Sequence, residues 1–460
     1  MRAFFLQYLT AIRASYWFIP SLMFSSAVAA AFLTLWIDAI WGAEWMNELE
    51  LFRLTDVESA RTVLSTIAAS MIGVAGVTFS ITLVAVSFAS SQFGPRLVGN
   101  FMRDRGNQIT LGTFISTFIY AMMVLRSVAA PTEELAAFVP HISVLLSIAA
   151  AIWSVGVLIY FIHHVPASID IGTITSNVGR ALIAGLDEVF PNAGRPGALP
   201  AGLDVKDFAR GARVLAERTG YVQTVDDYAL LAIAREDDIV IRLQRRPGDF
   251  VAEGDVLLHA LTPDGGASGE NGLRQEGRMR DLFAIGDDRT ADQNILFLAE
   301  ELIEIAGRAL SPGINDPFTA MTCIDWLTTA MSGMAERETP CPYRADEDGT
   351  VRLVGHSVDF ERLCDRIIPR LTPYVARDYM ASIHMVHRLA AATATIDDPK
   401  RRAHLRGHLE DFAAAAEDGL SLGPSLASFR QATDQARRLL DEPDAKLDLL
   451  FDQSWYGGSA

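Results

Sequence analysis

Residues 63–89, VLSTIAASMIGVAGVTFSITLVAVSFA, decide the fold class, because this stretch contains no charged side chain over its whole length. About 20 helical residues, each rising about 1.5 Å, cross the roughly 30 Å hydrocarbon core of a bilayer. Three other apolar stretches, residues 16–37, 109–125 and 138–162, are long enough to do the same. We therefore predict that residues 1–165 form a transmembrane domain of four helices.

Small and hydroxyl-bearing residues recur along one face of the second span. Alternating intervals of four and three residues select one face of a helix. At these intervals the second span contains Thr66, Ser70, Gly73, Val77, Ser80, Val84, Ser87 and Ser91. The third span has a shorter stripe of the same kind, which includes Thr113 and Thr117. Such residues let helices pack closely, and they can also line a water-filled path, so helix packing and a pore both remain open.

Positive and negative charges are distributed unequally between the connecting segments. Arg2 and Arg13 precede the first span, and Arg96, Arg103 and Arg105 lie between the second and third spans. The other two connections carry an excess of acidic residues. Because connections rich in Lys and Arg stay on the cytoplasmic side, both termini are predicted to be cytoplasmic, in a multi-pass protein of the bacterial inner (plasma) membrane.

Five residues are predicted to lie at the inner membrane interface. Arg96, Arg103 and Arg105 belong to a segment that suits either a short amphipathic helix or an ordinary connecting loop. His163 and His164 end the fourth span, where hydrocarbon gives way to water. Neighbouring residues on a helix point about 100° apart, so we do not expect these two histidines to share a metal ion.

The rest of the chain is polar and acidic. Of the net charge of −17, residues 166–460 carry −16, which argues against nucleic-acid binding. We divide this part into a connector with a small β unit at residues 166–262 and a helical domain at residues 263–460, both cytoplasmic. Turns and short strands alternate at residues 247–258, as in small barrels. The predicted fold class is mainly α, with a β-barrel-like unit between the four transmembrane helices and the helical domain.

Local patterns predict several boundaries in the helical domain. Thr290 and Gln293 have the spacing of a capping box, which should open a helix there. Further helices are expected at about residues 360–368, 374–392, 400–417 and 424–441.

Residues 311–317, SPGINDP, are the most conformationally restricted stretch of this domain. Asp316 is a suitable N-cap, and Pro317 a suitable first residue, for the helix that follows. A binding or contact turn is one interpretation, and a structural corner between two helices is the other. The candidate residues of such a turn are Arg308, Ser311, Gly313, Asn315 and Asp316.

Residues that could perform catalysis do not form a recognisable set. The sequence contains no HExxH, Walker or GxGxxG motif, and the four spans lack the ionisable groups that coupled transporters use near the membrane midplane. The pairs His384/His387 and His404/His408 have helical spacing suited to a metal ion, but each lacks a third ligand in the sequence. We therefore predict no enzymatic activity, no cofactor and no metal site.

Five segments resemble a known family of bacterial predicted membrane proteins, domain-of-unknown-function family 2254. They are STIAASM at residues 65–71, FSITLV at 79–84, SSQFGPRL at 90–97, FIHH at 161–164 and ALSPGINDP at 309–317. The resemblance covers nearly the whole chain. It implies a four-span inner-membrane protein with a cytoplasmic C-terminal region, and it implies no activity.

Two functions from different classes remain. The first is a homo-oligomeric ion or solute channel, in which the second span lines a pore and the cytoplasmic region gates it. The second is a membrane-anchored sensor or scaffold whose acidic cytoplasmic domain recruits protein partners. The stripe of hydroxyl groups favours the first, whereas the lack of charged filter residues and the size of the cytoplasmic region favour the second. We predict the channel, with the lipid bilayer and further copies of the chain as its partners.

Overall fold

The computed structural model describes residues 16–41, 56–93, 104–129, 138–189, 204–262, 273–338 and 341–441. The chain divides into two compact units, one of residues 8–173 and one that contains residues 174–460. Each unit has a hydrophobic core of its own.

The first unit contains four long helices. They are α1 (Phe18–Trp41), α2 (Val57–Phe93), α3 (Arg105–Ser127) and α4 (His141–Ile169). Each is long and apolar enough to cross a bilayer, which confirms the four predicted spans within the described ranges. Helix α2 starts before the predicted stretch, because Asp56 accepts a hydrogen bond from the Ser59 backbone nitrogen at 2.8 Å and so caps the helix.

Helix α3 lies at the centre of this unit and packs against the other three helices. Its buried face is partly polar and includes Thr110, Thr113 and Thr117. The hydroxyls of Thr110 and Thr113 each donate to a backbone carbonyl one turn earlier at 2.8 Å, and the Thr117 hydroxyl lies 3.0 Å from that of Ser154 on α4. These hydroxyls can be buried because each has a hydrogen-bond partner.

A carboxylate near the end of α1 caps α4. Asp38, which is only 4% exposed, accepts hydrogen bonds from the backbone nitrogens of Ile142 at 2.9 Å and Ser143 at 3.0 Å, and from the Ser143 hydroxyl at 2.6 Å. The N-cap position of α4 itself is Pro140, which makes no side-chain cap. Asp38 therefore satisfies N–H groups at the start of α4 and ties the ends of two transmembrane helices together.

The second unit combines short strands with a larger number of helices. Its elements in chain order are α5 (Ile171–Val189), a 3-10 helix (Val205–Arg210), β1 (Ala212–Leu215), β2 (Gly220–Val225), α6 (Asp227–Glu236), β3 (Val240–Leu243), β4 (Phe250–Val251), β5 (Val256–Leu261), α7 (Glu276–Arg280), β6 (Phe283–Gly286), α8 (Ile295–Ala309), α9 (Pro317–Ala335), β7 (Tyr343–Ala345), β8 (Val351–Val354), α10 (Phe360–Val375), α11 (Tyr379–Thr395), α12 (Pro399–Gly419) and α13 (Gly423–Asp441).

The strands form two open sheets, of order β1-β5-β3-β8-β7 and β4-β2-β6. Strands β3 and β8 are parallel, and the other neighbours are antiparallel. The predicted β-barrel-like unit is therefore wrong. Strand β5 buries Leu257, Leu258, Ala260 and Leu261, a nearly continuous apolar run that suits the interior of a sheet covered on both faces rather than a small barrel wall. Strands β6, β7 and β8 come from residues 263–460, the part of the sequence that was expected to be helical.

Helices α8 to α13 pack against one another in the rest of this unit, with α11 in contact with α9, α12 and α13. Four of them begin at an aspartate whose side chain accepts a backbone N–H of the first turn. These N-caps are Asp316 for α9, Asp359 for α10, Asp378 for α11 and Asp398 for α12. Short capped helices can therefore follow one another closely along the chain.

Candidate functional site

The predicted stripe on α2 is exposed rather than packed against the other three membrane helices. Thr66, Ser70, Gly73, Ser80 and Ser87 are all exposed. The buried face of the same helix consists of Leu64, Ala68, Met71, Ala75, Thr78, Thr82 and Ala85. Ser91 belongs to the last turn of α2, and its side chain lies outside the described part of the structure. Val77 and Val84, which also belong to the predicted stripe, are 61% and 68% exposed. These seven exposed residues are called the outer face of α2.

The outer face of α2 differs from the exposed faces of its neighbours. Helices α1 and α4 present bulky apolar side chains, among them Trp36 and Trp153, which are 63% and 70% exposed. On α2, a Cβ atom added at Gly73 or Gly76 would meet no heavy atom within 4 Å. A second helix could therefore approach the α2 backbone closely at these glycines.

Two of the four hydroxyl groups of this face are hydrogen-bonded within the helix. Thr66 donates to the Thr62 carbonyl at 2.7 Å, and Ser80 donates to the Gly76 carbonyl at 2.8 Å. These two hydroxyls can thus meet lipid, another helix or water without an unsatisfied donor. Thr113 and Thr117 of α3 lie inside the subunit instead, so the two predicted stripes do not share a surface.

The Asp104 carboxylate connects the first turn of α3 to the end of α4. It accepts a hydrogen bond from the Gly106 backbone nitrogen at 2.6 Å, and its other oxygen lies 2.8 Å from Nε2 of His164. Tyr160 stacks on the His164 ring with centroids 4.9 Å apart. A Cβ atom at Gly106 would come within 2.5 Å of His164 Nε2, so the glycine makes room for this contact. His164 therefore joins two helices.

The structure describes two of the other four predicted interface residues. Arg105 and His163 are exposed, and Arg96 and Arg103 lie outside the described residues. Asn107, one turn into α3, is 1% exposed, and neither its side-chain nitrogen nor its oxygen has a hydrogen-bond partner among the residues that the structure describes. Buried amides in this state are commonly satisfied by water.

The SPGINDP turn has the cap that the sequence predicts. Asp316 accepts hydrogen bonds from the Thr319 backbone nitrogen at 3.1 Å and the Thr319 hydroxyl at 2.5 Å, and Pro317 is the first residue of α9. Asn315 has a φ of 50°, a left-handed conformation that asparagine tolerates well. The Asp316 backbone nitrogen donates to the Ala309 carbonyl at 2.8 Å, which closes the turn onto α8.

The remaining residues of this turn are spread over its surface. Arg308 pairs with Glu304 of α8 at 3.3 Å. Gly313 and Asn315 are exposed, and Ser311 is half-buried. The hydrogen bonds thus account for the turn as a structural corner, and a binding role remains a prediction.

Arginines gather around the buried Glu300 of α8. Its carboxylate oxygens lie 2.6 Å from Arg289, 2.8 Å from Arg370 and 3.5 Å from Arg366. Burial lowers the pKa of Arg362 and of Arg366, and the charge of Arg246 lowers both further. The arginine cluster comprises Arg246, Arg289, Arg362, Arg366 and Arg370.

Positive charge in the arginine cluster exceeds the negative charge that faces it. Besides Glu300, Asp249 lies 3.5 Å from Arg246, and Asp359 interacts with Arg362. Buried nitrogens of Arg246 (Nη1) and Arg289 (Nε) have no hydrogen-bond partner within the described ranges. Guanidinium groups with spare donors are suited to bind a carboxylate or a phosphate.

A histidine–histidine–aspartate cluster joins α10 to α12. His404 and His408 lie one turn apart on α12, and their Nε2 atoms lie 3.0 Å and 2.8 Å from the same Oδ1 atom of Asp365 on α10. One potential ligand atom from each residue lies within 4.8 Å of the other two. The sequence showed the histidine spacing but not the third ligand, because Asp365 is 39 residues from His404 and only helix packing brings it there.

A serine motif near the end of α12 lies in a connection between two helices. Residues 419–423, GLSLG, match the GxSxG pattern of serine hydrolases. That pattern functions in a sharp turn from a strand into a helix, whereas here it connects α12 to α13 with Ser421 exposed.

Comparison with known proteins supports the resemblance predicted from the sequence. No solved structure matches the chain. Uncharacterized proteins of Mycobacterium bovis and of two strains of Mycobacterium tuberculosis are each 31% identical to it over 387 residues, which cover 84% of this chain and 73% of the relative. The family model described as "Predicted membrane protein (DUF2254)" matches residues 13–391, from the first described helix into α11. The chain therefore belongs to this family of predicted membrane proteins.

Proposed function

We propose that the protein is a homo-oligomeric ion or solute channel of the bacterial inner membrane, in which α2 of each subunit faces a shared axis. The observation that supports this proposal is the outer face of α2. This face is exposed and contains one glycine and four hydroxyl-bearing residues, with Val77 and Val84 between them. In the same proposal the C-terminal unit lies in the cytoplasm and regulates the pore without catalysing a reaction.

A path between subunits suits the packing better than a path through one subunit. Helix α3 packs against α1, α2 and α4, and its buried threonines are hydrogen-bonded to their own backbone or to Ser154. A polar pathway therefore needs a surface from several copies of the chain. The outer face of α2 offers that surface along a helix of 37 residues, which is longer than the bilayer core is thick.

Single-channel recording in planar bilayers tests the proposal. In a Cys341→Ser background, which removes the exposed cysteine and leaves the buried Cys323 and Cys364, Ser80→Cys would place a thiol on the outer face of α2. Modification with a charged thiol reagent should then change the single-channel current, because the added charge would lie in the path of the ions.

Ile152→Cys on α4 is the matched control. Ile152 is 69% exposed on a bulky apolar face, so the same reagent should leave the current unchanged. A wild-type protein that conducts no current would contradict the channel, and so would an Ser80→Cys current that modification does not alter.

A sensor is the second candidate, and the arginine cluster favours it. Arg246 and Arg289 retain unpaired donors among the described residues, in a chain whose net charge is −17. Such a site could bind a small anion and report its concentration to a partner protein. Calorimetric titration with inorganic phosphate, on wild type and on Arg246→Gln, would separate this function from conduction: binding without current supports the sensor.

A further inference from the structure

Among the described residues, Asp365, His404 and His408 are the potential metal ligands that converge on one point. We propose that they form a binding site for a divalent transition metal ion, for which zinc is the best chemical match. The site would connect α10 to α12 in the C-terminal unit.

The donor atoms favour zinc over the other common metal ions. Two imidazoles with one carboxylate are a frequent ligand set of zinc sites that keep a further position open. Calcium and magnesium prefer oxygen ligands alone, and copper in its reduced form prefers sulfur. Each of the three residues contributes one atom of the type that zinc binds.

The distances between the donors require only a small adjustment. Histidines four residues apart share a helix face, about 5–6 Å apart at their Cβ atoms, so both imidazoles can reach one ion. Their Nε2 atoms lie 3.0 Å and 2.8 Å from Oδ1 of Asp365. Ligands of a tetrahedral zinc ion, at about 2.0–2.1 Å each, lie about 3.3 Å apart. Each Nε2–Oδ1 distance therefore needs to increase by only about 0.3–0.5 Å, and the three ligand atoms already lie within 4.8 Å of one another.

Without a metal, each imidazole must carry a proton on Nε2 to donate to Asp365. Both N–H groups then point at the same carboxylate oxygen. This is the arrangement expected when two protons occupy the space that an ion would fill between the three ligands. A metal ion would take the place of both protons and bind the same three atoms. The cluster thus accommodates an ion without a change in the fold of either helix.

The groups around the cluster are held in place by contacts of their own and leave room for a further ligand. Arg401, one turn before His404, donates to the backbone carbonyls of Ala335 and Arg337, both at 2.7 Å. The Phe360 ring lies 6.5 Å from the His404 ring. His408 also lines a groove of about 640 Å³ between α10 and α12, from which water could supply a fourth ligand.

This inference is independent of the channel proposal and of the family match. All three ligands belong to the second unit, whereas the channel proposal rests on α2. His404 and His408 follow residue 391, where the family match ends. The family resemblance therefore does not imply this site.

Zinc titration of the full-length protein in detergent tests the proposal. After treatment with a chelator and desalting, the wild-type protein should bind one zinc ion per chain in calorimetry with zinc sulfate. Its melting temperature should also rise with zinc, because the ion would bind the folded state and hold α10 against α12. The double substitution His404→Gln with His408→Gln should weaken binding by at least about 100-fold, since it removes two ligands, and loss of a group that only hydrogen-bonds to a ligand already costs about 10–100-fold.

His384→Gln is the matched control. His384 pairs with a single carboxylate, Asp325, at 2.8 Å, so its loss should leave zinc affinity unchanged. The proposal is overturned if the wild-type protein does not bind one zinc ion per chain at micromolar free zinc. It is also overturned if the double variant binds zinc with wild-type affinity. If the double variant does not fold, Asp365→Asn decides: its amide oxygen still accepts a hydrogen bond, and its zinc affinity should fall at least about tenfold.

Discussion

Asp316 carries two hydrogen bonds at the first turn of α9, from the backbone nitrogen and the hydroxyl of Thr319. Replacing it with alanine leaves those donors without their partner. We expect Asp316→Ala to lower the free energy of unfolding by about 0.5–2 kcal/mol. Asp316→Ser should recover most of this loss, because a hydroxyl also accepts at an N-cap. Thermal or urea unfolding of the detergent-solubilised protein measures both.

The serine variant also separates a cap from a binding site. If Asp316 binds a cation or a partner through its carboxylate, Asp316→Ser would keep wild-type stability and lose that binding. Unfolding curves in which both variants match the wild type would contradict the capping role.

His356 gives the C-terminal unit a dependence on pH. Burial lowers its pKa, and the charges of Arg246 and Arg362 lower it further, although Asp249 and a backbone contact with Gln244 act in the opposite direction. Below pH 6.5, the ordinary value for histidine, the unfolded chain therefore binds more protons than the folded one. The contribution of His356 to the free energy of unfolding is therefore fully present above pH 6.5. It is lost as the pH falls from there toward the lower pKa of His356 in the folded protein.

We expect the urea midpoint of the wild type to fall more between pH 7.5 and pH 5.5 than that of His356→Gln. Other groups that titrate in this range are present in both proteins, so the difference between the two slopes reports His356. Parallel slopes would contradict the prediction.

At the scale of the helix, Gly73 tests whether the outer face of α2 is covered by another subunit. A side chain at Gly73 meets nothing within 4 Å in its own chain, so Gly73→Leu should leave the folded subunit intact. If α2 helices of neighbouring subunits pack through this face, the added side chain separates them. We expect a smaller oligomer, measured as mass in detergent by light scattering.

Substitutions at two other glycines serve as controls for that result. Gly156 is exposed on α4 and is equally free of contacts, so Gly156→Leu should keep the wild-type mass. Gly112 of α3 faces Met23, whose sulfur would lie 2.6 Å from an added Cβ atom, so Gly112→Leu should destabilise the subunit itself. A monomeric wild type would refute the packing interpretation.

Local sequence patterns predicted the helices of the membrane unit well. They failed for helix boundaries that depend on tertiary packing. Asp316 caps α9 as expected, because an N-cap depends on residues within one turn. Helix α10 instead continues through Pro369 and Pro373 to Val375, although proline removes a hydrogen bond. Its buried side chains include Ile368, Leu371 and Val375, and their packing offsets that loss.

The start of α8 shows the same limit. The capping box predicted at Thr290 and Gln293 is wrong, since Asn294 caps a helix that begins at Ile295. The Gln293 side chain instead accepts from the backbone nitrogen of Val225 at 3.0 Å and donates to its carbonyl at 3.2 Å. That contact lies 68 residues away in the sequence, so only tertiary structure could reveal it. The same holds for Asp365 beside His404.

At the scale of the whole molecule, the orientation in the membrane determines in which compartment the histidine–histidine–aspartate cluster and the arginine cluster lie. Arg2, Arg13, Arg96, Arg103 and Arg105 all belong to segments that the positive-inside rule assigns to the cytoplasm. We therefore expect alkaline phosphatase, which is active only in the periplasm, to be active when fused after residues 50 and 133, and inactive when fused after residues 105 and 460. A fluorescent protein that folds only in the cytoplasm should give the reverse pattern at the same four positions. Phosphatase activity after residue 460 would place the C-terminal unit in the periplasm. A pore regulated by cytoplasmic ligands would then be excluded.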